Sequence, residues 1–308
     1  MQTILGSGGA VGIELARSLK SFTTEIRLVS RNPRKVNETD TLFASDLSIK
    51  EQVDRAVQGS EVCYVTVGFD YKTKLWREMW PPFITNVVAA CMKYSARLVF
   101  FDNVYAIRGD NVKRITENSP VSPSSKKGEI RAWVDKHILD NVEKGKLTAI
   151  IARAPDFFGP IKEKSVLMNL IYDNMMRGKK AQWFCNADII HSMGYVPDLA
   201  KGTAILGNEP KAFNQIWNLP VDNNALTGRE WIRLFAEELH ASDAVTVLPG
   251  FGMKVLGLFV PILGEIYEMR YQYDREYYFD SSKFAGKFSF TPTTNKEAVR
   301  QTIAALKK

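Results

Sequence analysis

Gln2-Thr3-Ile4-Leu5-Gly6-Ser7-Gly8-Gly9-Ala10-Val11-Gly12-Ile13-Glu14-Leu15-Ala16 decides how this chain is read. The residues from Met1 to Leu5 form a short apolar strand, and Ile13, Ala16 and Leu19 share one stripe of a helix. Between them, glycines at positions 6, 9 and 12 give the spacing G-x-x-G-x-x-G. The shorter G-x-G-x-x-G pattern begun at Gly6 fails, because Val11 stands where its third glycine belongs. A strand, a glycine turn and a helix together make a phosphate cradle. Glycine lets the backbone turn tightly and approach a pyrophosphate, and the helix N-terminus offers free N–H groups. Gly6, Ser7, Gly9, Ala10, Val11 and Gly12 are therefore the candidate contacts for a dinucleotide.

Working outward, the residues from Glu25 to Val29 form a second strand that ends in Ser30-Arg31-Asn32-Pro33. A site that prefers NAD places an acid about 20 residues past the glycines to hold the ribose 2′-hydroxyl. No acid lies between Ser30 and Val36, and Arg31 stands there with Arg34 and Lys35 after it. A guanidinium fork suits a 2′-phosphate, so Ser30 and Arg31 point to NADP over NAD. A third strand, Thr41 to Ala44, leads to Ser45-Asp46-Leu47, where Ser45 or Asp46 is placed to cap a helix beginning near Ser48. The fourth strand, Glu61 to Gly68, brings Val67 and Gly68 toward the cofactor. Tyr71, Trp76 and Trp80 follow it in a densely aromatic stretch. Ligands bind beyond the carboxyl ends of strands in open α/β sheets, which makes Tyr71 and Trp76 candidate substrate contacts, whereas Trp80 suits a helix core equally well. A helix over Phe83 to Tyr94, a fifth strand over Ala96 to Phe101 and a sixth over Leu147 to Ala152 continue the alternation. The fold expected is α/β: a Rossmann-type, doubly wound parallel sheet with a smaller C-terminal substrate lobe. The core spans 1–155 and the lobe 156–308, with core elements returning at about 195–222 and a final helix from Lys296 to Leu306.

A 45% hydrophobic, 24% charged chain of 308 residues can bury a large core. The net charge of +7 is spread over the sequence without basic runs interleaved with aromatics, so nucleic acid is not an expected partner. Val255 to Ile266 is the most apolar late stretch and too short for a bilayer, which needs about 20 apolar residues, so no membrane is expected. No leader is expected, since a strand opens the sequence. Cys63, Cys91 and Cys185 read as free thiols of a reducing cytoplasm, and His137, His191 and His240 lack metal-ligand spacing. In the last third, Thr227 and Glu230 form a capping box for a helix running to His240. Tyr271 and Tyr273, in the aromatic run from Phe251 to Tyr278, line either an apolar substrate site or a helical core.

Five further segments carry a family resemblance. They are Phe101-Asp102-Asn103-Val104-Tyr105, Ile115-Thr116-Glu117-Asn118-Ser119-Pro120, Lys126-Lys127-Gly128-Glu129-Ile130-Arg131-Ala132, the turn from Ala152 to Pro160, and Tyr195-Val196-Pro197-Asp198-Leu199-Ala200. With the glycine turn they resemble, in order, the extended short-chain dehydrogenase/reductases, in particular an atypical NAD(P)-dependent epimerase/dehydratase-like branch. The resemblance runs from Gly6 to about Ala200 and is loose beyond. It implies that Asp46 and Leu47 meet the adenine, that Asp102 and Asn103 lie beside the cofactor, and that Phe157 and Phe158 face a small-molecule substrate. It implies a cytoplasmic oxidoreductase or epimerase, as monomer or homodimer, acting on a small carbonyl or alcohol.

One departure cuts across these matches. Standard members transfer protons with Tyr-x-x-x-Lys, in which the lysine lowers the tyrosine pKa and holds the ribose. No tyrosine here has a lysine four residues on; the corresponding pair is Lys127 and Arg131, and the Ser/Thr partner is replaced around Asp102-Asn103. Three groups remain as candidate acids or bases: Tyr105 after the fifth strand, Lys127, and Asp156 after the sixth. Lys127 and Arg131 are also candidate cofactor contacts, Arg131 through the ribose hydroxyls. A non-catalytic NADP(H)-sensing regulatory or scaffold protein is the alternative that a missing dyad permits.

Overall fold

The computed structural model describes residues 1–161 and 165–307. The chain divides into two compact units. The first comprises Met1–Asn103, Glu129–Arg153 and Leu199–Leu219; the second comprises Val104–Gly128, Ala154–Asp198 and Pro220–Lys308. The segment 104–128 and the final helix thus group with the second unit.

Unit 1 holds a seven-stranded sheet. Its strands are β1 (Gln2–Leu5), β2 (Ile26–Ser30), β3 (Thr41–Ala44), β4 (Val62–Val65), β5 (Arg97–Asp102), β6 (Ala149–Arg153) and a last strand, Gln215–Asn218. From that last strand the spatial order runs β6, β5, β4, β1, β2, β3, with every neighbouring pair parallel. Such strands are covered on both faces and read as continuous apolar runs. Ile4, Leu5, Leu28, Val29, Val62 to Val65, Leu98 to Phe100 and Ile150 to Ala152 are accordingly buried. The order reverses between β1 and β4, and a crevice for ligand opens at such a switch point.

Helices α1 (Ala10–Leu19), α2 (Lys50–Val57), α3 (Thr73–Tyr94) and α4 (Lys126–Glu143) connect these strands. Two differ from expectation. α3 starts ten residues before Phe83 and runs through Pro81 and Pro82. Internal prolines forfeit ladder hydrogen bonds, and here Trp76, Trp80, Phe83 and Ile84 are buried along the same helix. α2 begins at Lys50 behind Ile49, so neither Ser45 nor Asp46 is its cap. Asp46 instead accepts from the Ser48 backbone at 3.0 Å and its hydroxyl at 2.7 Å, a local turn that competes with capping.

Unit 2 is built on two small parallel pairs, Asp156–Phe158 with Met193–Tyr195 and Ala181–Phe184 with Val245–Leu248. Its core gathers Phe158, Trp183, Trp231, Phe235, Val299 and Ile303. The Thr227–Glu230 capping box is present on helix Gly228–Leu239, and Thr294 caps Asn295–Leu306.

Candidate functional site

Parallel register brings the carboxyl ends of β1, β2 and β4 to one edge of the unit 1 sheet, and the glycine turn sits there. Each glycine has its own reason. Gly6 adopts φ +97°, and a Cβ on it would come within 2.7 Å of the Val67 nitrogen. At Gly12 a Cβ would stand 2.6 Å from the Gly6 carbonyl oxygen. These two glycines let α1 and the end of β4 close on the turn. Gly8 and Gly9 differ: both are exposed, and a Cβ there meets nothing nearer than the Ser30 hydroxyl at 3.9 Å and the Gly6 oxygen at 3.8 Å. That space is open. Gly9 is the N-cap of α1 and offers no side-chain cap, so the first-turn N–H groups of the helix face it. Among the described residues the buried hydroxyls of Ser7 and Ser30 meet no hydrogen-bond partner. Buried polar groups are normally satisfied, so an unmatched pair beside an open helix N-terminus fits a phosphate-bearing ligand.

Arg31 is exposed immediately after β2. It lies close enough to Asp46 to help hold that carboxyl below its usual range, after the hydrogen bonds from Ser48, which contribute most. Asp46 is exposed and Leu47 half-buried. Val67 is half-buried and Gly68 exposed beside the turn.

Past β5 the structure corrects the cofactor reading. Asp102 and Arg131 are 2% and 3% exposed and are used on each other. The Arg131 Nε donates to Asp102 Oδ1 at 2.7 Å, and Nη2 donates to the same oxygen. The guanidinium also lies 4.3 Å from the Trp80 ring and 4.8 Å from the Phe100 ring. Arg131 is therefore an internal counter-ion and not a ribose clamp. Asp135 and Arg153 extend this buried group, with Arg153 Nη2 at 3.5 Å from Asp135 Oδ2. Burial, then the neighbouring Asp102 carboxylate, push the Asp135 carboxyl well above its usual range. Among the described residues neither Asp135 Oδ1 nor Asp102 Oδ2 meets a conventional donor, and the raised Asp135 carboxyl is hydrogen-bonded to the Asp102 side chain. Trp76 is also more deeply placed than expected: it is 5% exposed, packed edge-on to Tyr71 and Trp80, with its indole N–H donating to the Asp70 carbonyl at 3.0 Å. Tyr71 is half-buried and Asn103 likewise.

Unit 2 holds the remaining candidates. The Lys127 side chain is fully buried. Its ammonium donates to the Glu265 and Glu268 carboxylates, the latter at 2.6 Å, and to the Glu265 carbonyl at 3.2 Å. The Lys126 backbone N–H adds a bond to Glu268 at 2.8 Å. Lys127 thus fastens 265–268 to the first turn of α4; it is buried, as the proton-donor reading required, but its ammonium is engaged by two carboxylates, with which a proton-donor or cofactor-contact role would compete. Phe158 is 1% exposed in the core of unit 2 rather than facing a ligand, whereas Phe157 is half-buried.

Asp156 is the candidate that acquires a setting. Its Oδ2 accepts from Tyr273 Oη at 2.7 Å and lies 3.1 Å from His191 Nε2. His191 is stacked between the Tyr273 and Tyr277 rings, at 4.6 and 4.5 Å. Tyr105 is half-buried, and its phenol adds to the rise in the phenol pKa of Tyr273 and Tyr277, which burial chiefly causes. Sequence reasoning missed His191 and Tyr277 and left Tyr273 open. Residues 156, 191, 273 and 277 are far apart in the chain, and the only local signal was an acid just past a strand.

The model of the NAD dependent epimerase/dehydratase family matches residues 3–219. The chain belongs to that family. No curated protein matches it in sequence. Solved structures similar to it include UDP-glucose 4-epimerase of Thermus thermophilus in complex with NAD, at 16% identity and TM-score 0.79, covering 100% of this chain and 99% of that one. A DesIV double mutant, dTDP-glucose 4,6-dehydratase from Streptomyces venezuelae, with NAD bound, has 14% identity and TM-score 0.82, covering 100% and 97%. UDP-glucose 4-epimerase of Thermotoga maritima with UDP-glucose has 17% identity and TM-score 0.80, covering 100% and 99%. At these identities the likeness shows the Rossmann-type fold. Among the described residues no helix is long and apolar enough to cross a membrane, and no three His, Cys, Asp or Glu side chains gather as metal ligands.

Proposed function

We propose that this chain binds NADP(H) at the glycine turn and acts as an oxidoreductase or epimerase on a small carbonyl or alcohol substrate, with proton transfer that does not use Tyr-x-x-x-Lys. The observation that carries the reading is the turn itself: open space at Gly8 and Gly9 beside two unmatched buried hydroxyls, Ser7 and Ser30. A bound nicotinamide would supply the hydride chemistry. In this reading the chain's own residues hold it: the Gly6–Gly12 backbone and Ser7 meet the pyrophosphate, Ser30 and Arg31 the 2′-phosphate, Asp46 and Leu47 the adenine, and Val67, Gly68 and Asn103 the path toward the nicotinamide. Arg31, exposed where NAD-preferring sites carry an acid, supports NADP over NAD. Tyr71 and Phe157 are proposed substrate contacts, and Tyr105 and Asp156 the candidates for proton transfer. Three free cysteines, two of them buried, support a cytoplasmic setting, as monomer or homodimer.

A non-catalytic NADP(H) sensor is the second reading. It is favoured by one observation: both α4 residues at the missing dyad, Lys127 and Arg131, are committed to buried ion pairs. Calorimetric titration with NADPH and NADH tests the binding, and equal affinities remove the NADP assignment. Assay of the NADPH- or NADP-loaded protein with UDP-glucose, dTDP-glucose, and simple alcohols, aldehydes and ketones separates the two readings. Turnover with any of them excludes the sensor; tight NADPH binding with no turnover excludes the enzyme.

A further inference from the structure

The stretch from Val245 to Gly264 carries a single charged side chain, Lys254. In unit 2 it forms most of a helical hairpin, Gly250–Leu256 and Pro261–Tyr267, joined by Gly257-Leu258-Phe259-Val260. Two glycines set how closely the helices meet. A Cβ on Gly257 would lie 2.9 Å from the Gly264 nitrogen, and one on Gly264 would lie 3.2 Å from the Gly257 oxygen. The inner face of the hairpin is anchored: Met253 is fully buried in the unit 2 core, and Leu263, Ile266 and Tyr267 pack against that core. The outer face is apolar as well. Phe251 is 79% exposed, Leu258 80% and Phe259 79%, with Val260 and Ile262 exposed beside them. Half of the large hydrophobic side chains exposed among the described residues fall between Phe251 and Ile262. A helix that is apolar all round belongs in apolar surroundings on every side, and a continuous apolar patch at a surface marks a place of contact.

Charge decides what makes that contact. A cavity of about 490 Å³ lies at the root of the hairpin, and its walls include Asn186, Phe251, Lys254, Tyr267, Arg270 and Asp274. Lys254 and Arg270 are exposed, and the Arg270 guanidinium lies over the Tyr267 ring, 4.4 Å from its centre. The neighbouring acids are already engaged: Asp274 accepts from Arg275 Nε at 2.7 Å, and Glu265 and Glu268 accept from Lys127. Two cations thus stand behind an apolar apex. Protein interfaces are anchored mainly by tyrosine, tryptophan and arginine. Exposed phenylalanine and leucine backed by basic residues are the pattern of elements that lie in a membrane surface. Each helix has seven residues, about 10 Å at 1.5 Å per residue, which matches the depth to which such elements enter the headgroup–acyl boundary. We infer that the hairpin is a membrane-surface contact. Leu258, Phe259 and Val260 enter the acyl boundary of an anionic bilayer, and Lys254 and Arg270 receive a phosphate headgroup. The stretch is too short to span the bilayer, so the chain rests on one leaflet. The inference is independent of the proposed NADP(H) binding.

The test mixes the full chain, without cofactor, with vesicles of phosphatidylcholine alone or of equimolar phosphatidylcholine and phosphatidylglycerol, and measures the fraction that sediments with lipid. Binding is expected to the anionic vesicles and should weaken as salt is raised. Leu258→Ser combined with Phe259→Ser should lower the affinity about 100-fold or more, as expected when two apolar side chains are no longer buried. The thermal midpoint should stay near that of the wild type, because both side chains are exposed. Lys254→Gln combined with Arg270→Gln should lower the affinity about 25-fold, at roughly fivefold per cation. The emission of Phe259→Trp should be quenched by brominated acyl chains more strongly than that of the wild type. Sedimentation without lipid examines the rival occupant. A wild-type dimer that the serine pair dissociates makes a second copy of the chain the partner and overturns the inference. So does a failure to bind anionic vesicles, equal binding to both kinds of vesicle, or a serine pair that binds as the wild type does.

Discussion

The glycine turn and the buried polar clusters are built on opposite plans. At Gly8 and Gly9 the chain withholds side chains, leaving two hydroxyls unmatched and a helix start uncapped. Around Asp102–Arg131 and Asp156–His191–Tyr273 it supplies side chains that pair with one another, although Asp102 Oδ2, Asp135 Oδ1, Arg153 Nη1 and the Tyr277 hydroxyl meet no partner among the described residues. An opening prepared for a ligand is made by subtraction. A charge held away from water must be surrounded by its own counter-groups, because the interior offers no solvent to replace them. The same substitution therefore has opposite consequences in the two places.

The largest effect is expected where a buried charge loses its partner. Arg131→Met leaves Asp102 buried and unpaired, which costs about 3–5 kcal/mol, and denaturant unfolding should show it without any ligand present. A smaller loss would deny that the fold depends on Arg131 as the counter-ion of Asp102. Next comes Gly9→Val, for which the fold has room but a pyrophosphate does not. Its unfolding midpoint should stay near that of the wild type while NADPH affinity falls by about 100-fold, equivalent to the loss of one or two hydrogen bonds to charge. An unchanged titration would place the cradle elsewhere. Arg31→Asp replaces a proposed phosphate partner by an anion. Hydrogen bonds to charged groups are worth about 1.5–3 kcal/mol, and exposure places Arg31 at the lower end, so the NADPH-to-NADH preference should drop about tenfold. Equal losses for both cofactors would deny the contact.

The smallest effect concerns pH. The folded Asp135 carboxyl titrates above its unfolded value. As pH rises through the ordinary carboxylate range the unfolded chain releases that proton and the folded chain keeps it, so Asp135 lowers stability progressively toward neutral pH. Asp135→Asn removes this slope. The melting temperature of the variant relative to wild type should rise from pH 4 to pH 7, and a constant difference would show that Asp135 ionises normally.

Legibility in the sequence followed locality. The strand, glycine turn and helix around Gly6, Gly9 and Gly12 were readable because they act within a few residues, and Thr227 with Glu230 for the same reason. α3 was misread in part, since Pro81-Pro82 is a strong local stop that aromatic burial overrides. Ser45 and Asp46 were read as caps, but Asp46 bonds to Ser48 and the helix starts four residues after Asp46. The roles of Lys127 and Arg131 were the least legible. Their spacing is that of a catalytic pair, and only Glu265, Glu268 and Asp102, brought in from elsewhere in the chain, reveal that both charges are consumed.

Taken by itself, the sequence determined the alternation of strand and helix, the parallel sheet that this alternation demands, and the edge where a dinucleotide belongs. Each follows from periodicity and from backbone sterics that act over a turn or two. Tertiary structure alone decided which polar side chains face which. Asp156 meets His191 and Tyr273, and Arg131 meets Asp102, because the strength of such pairs depends on distance through space and on the exclusion of water, neither of which is encoded in spacing along the chain.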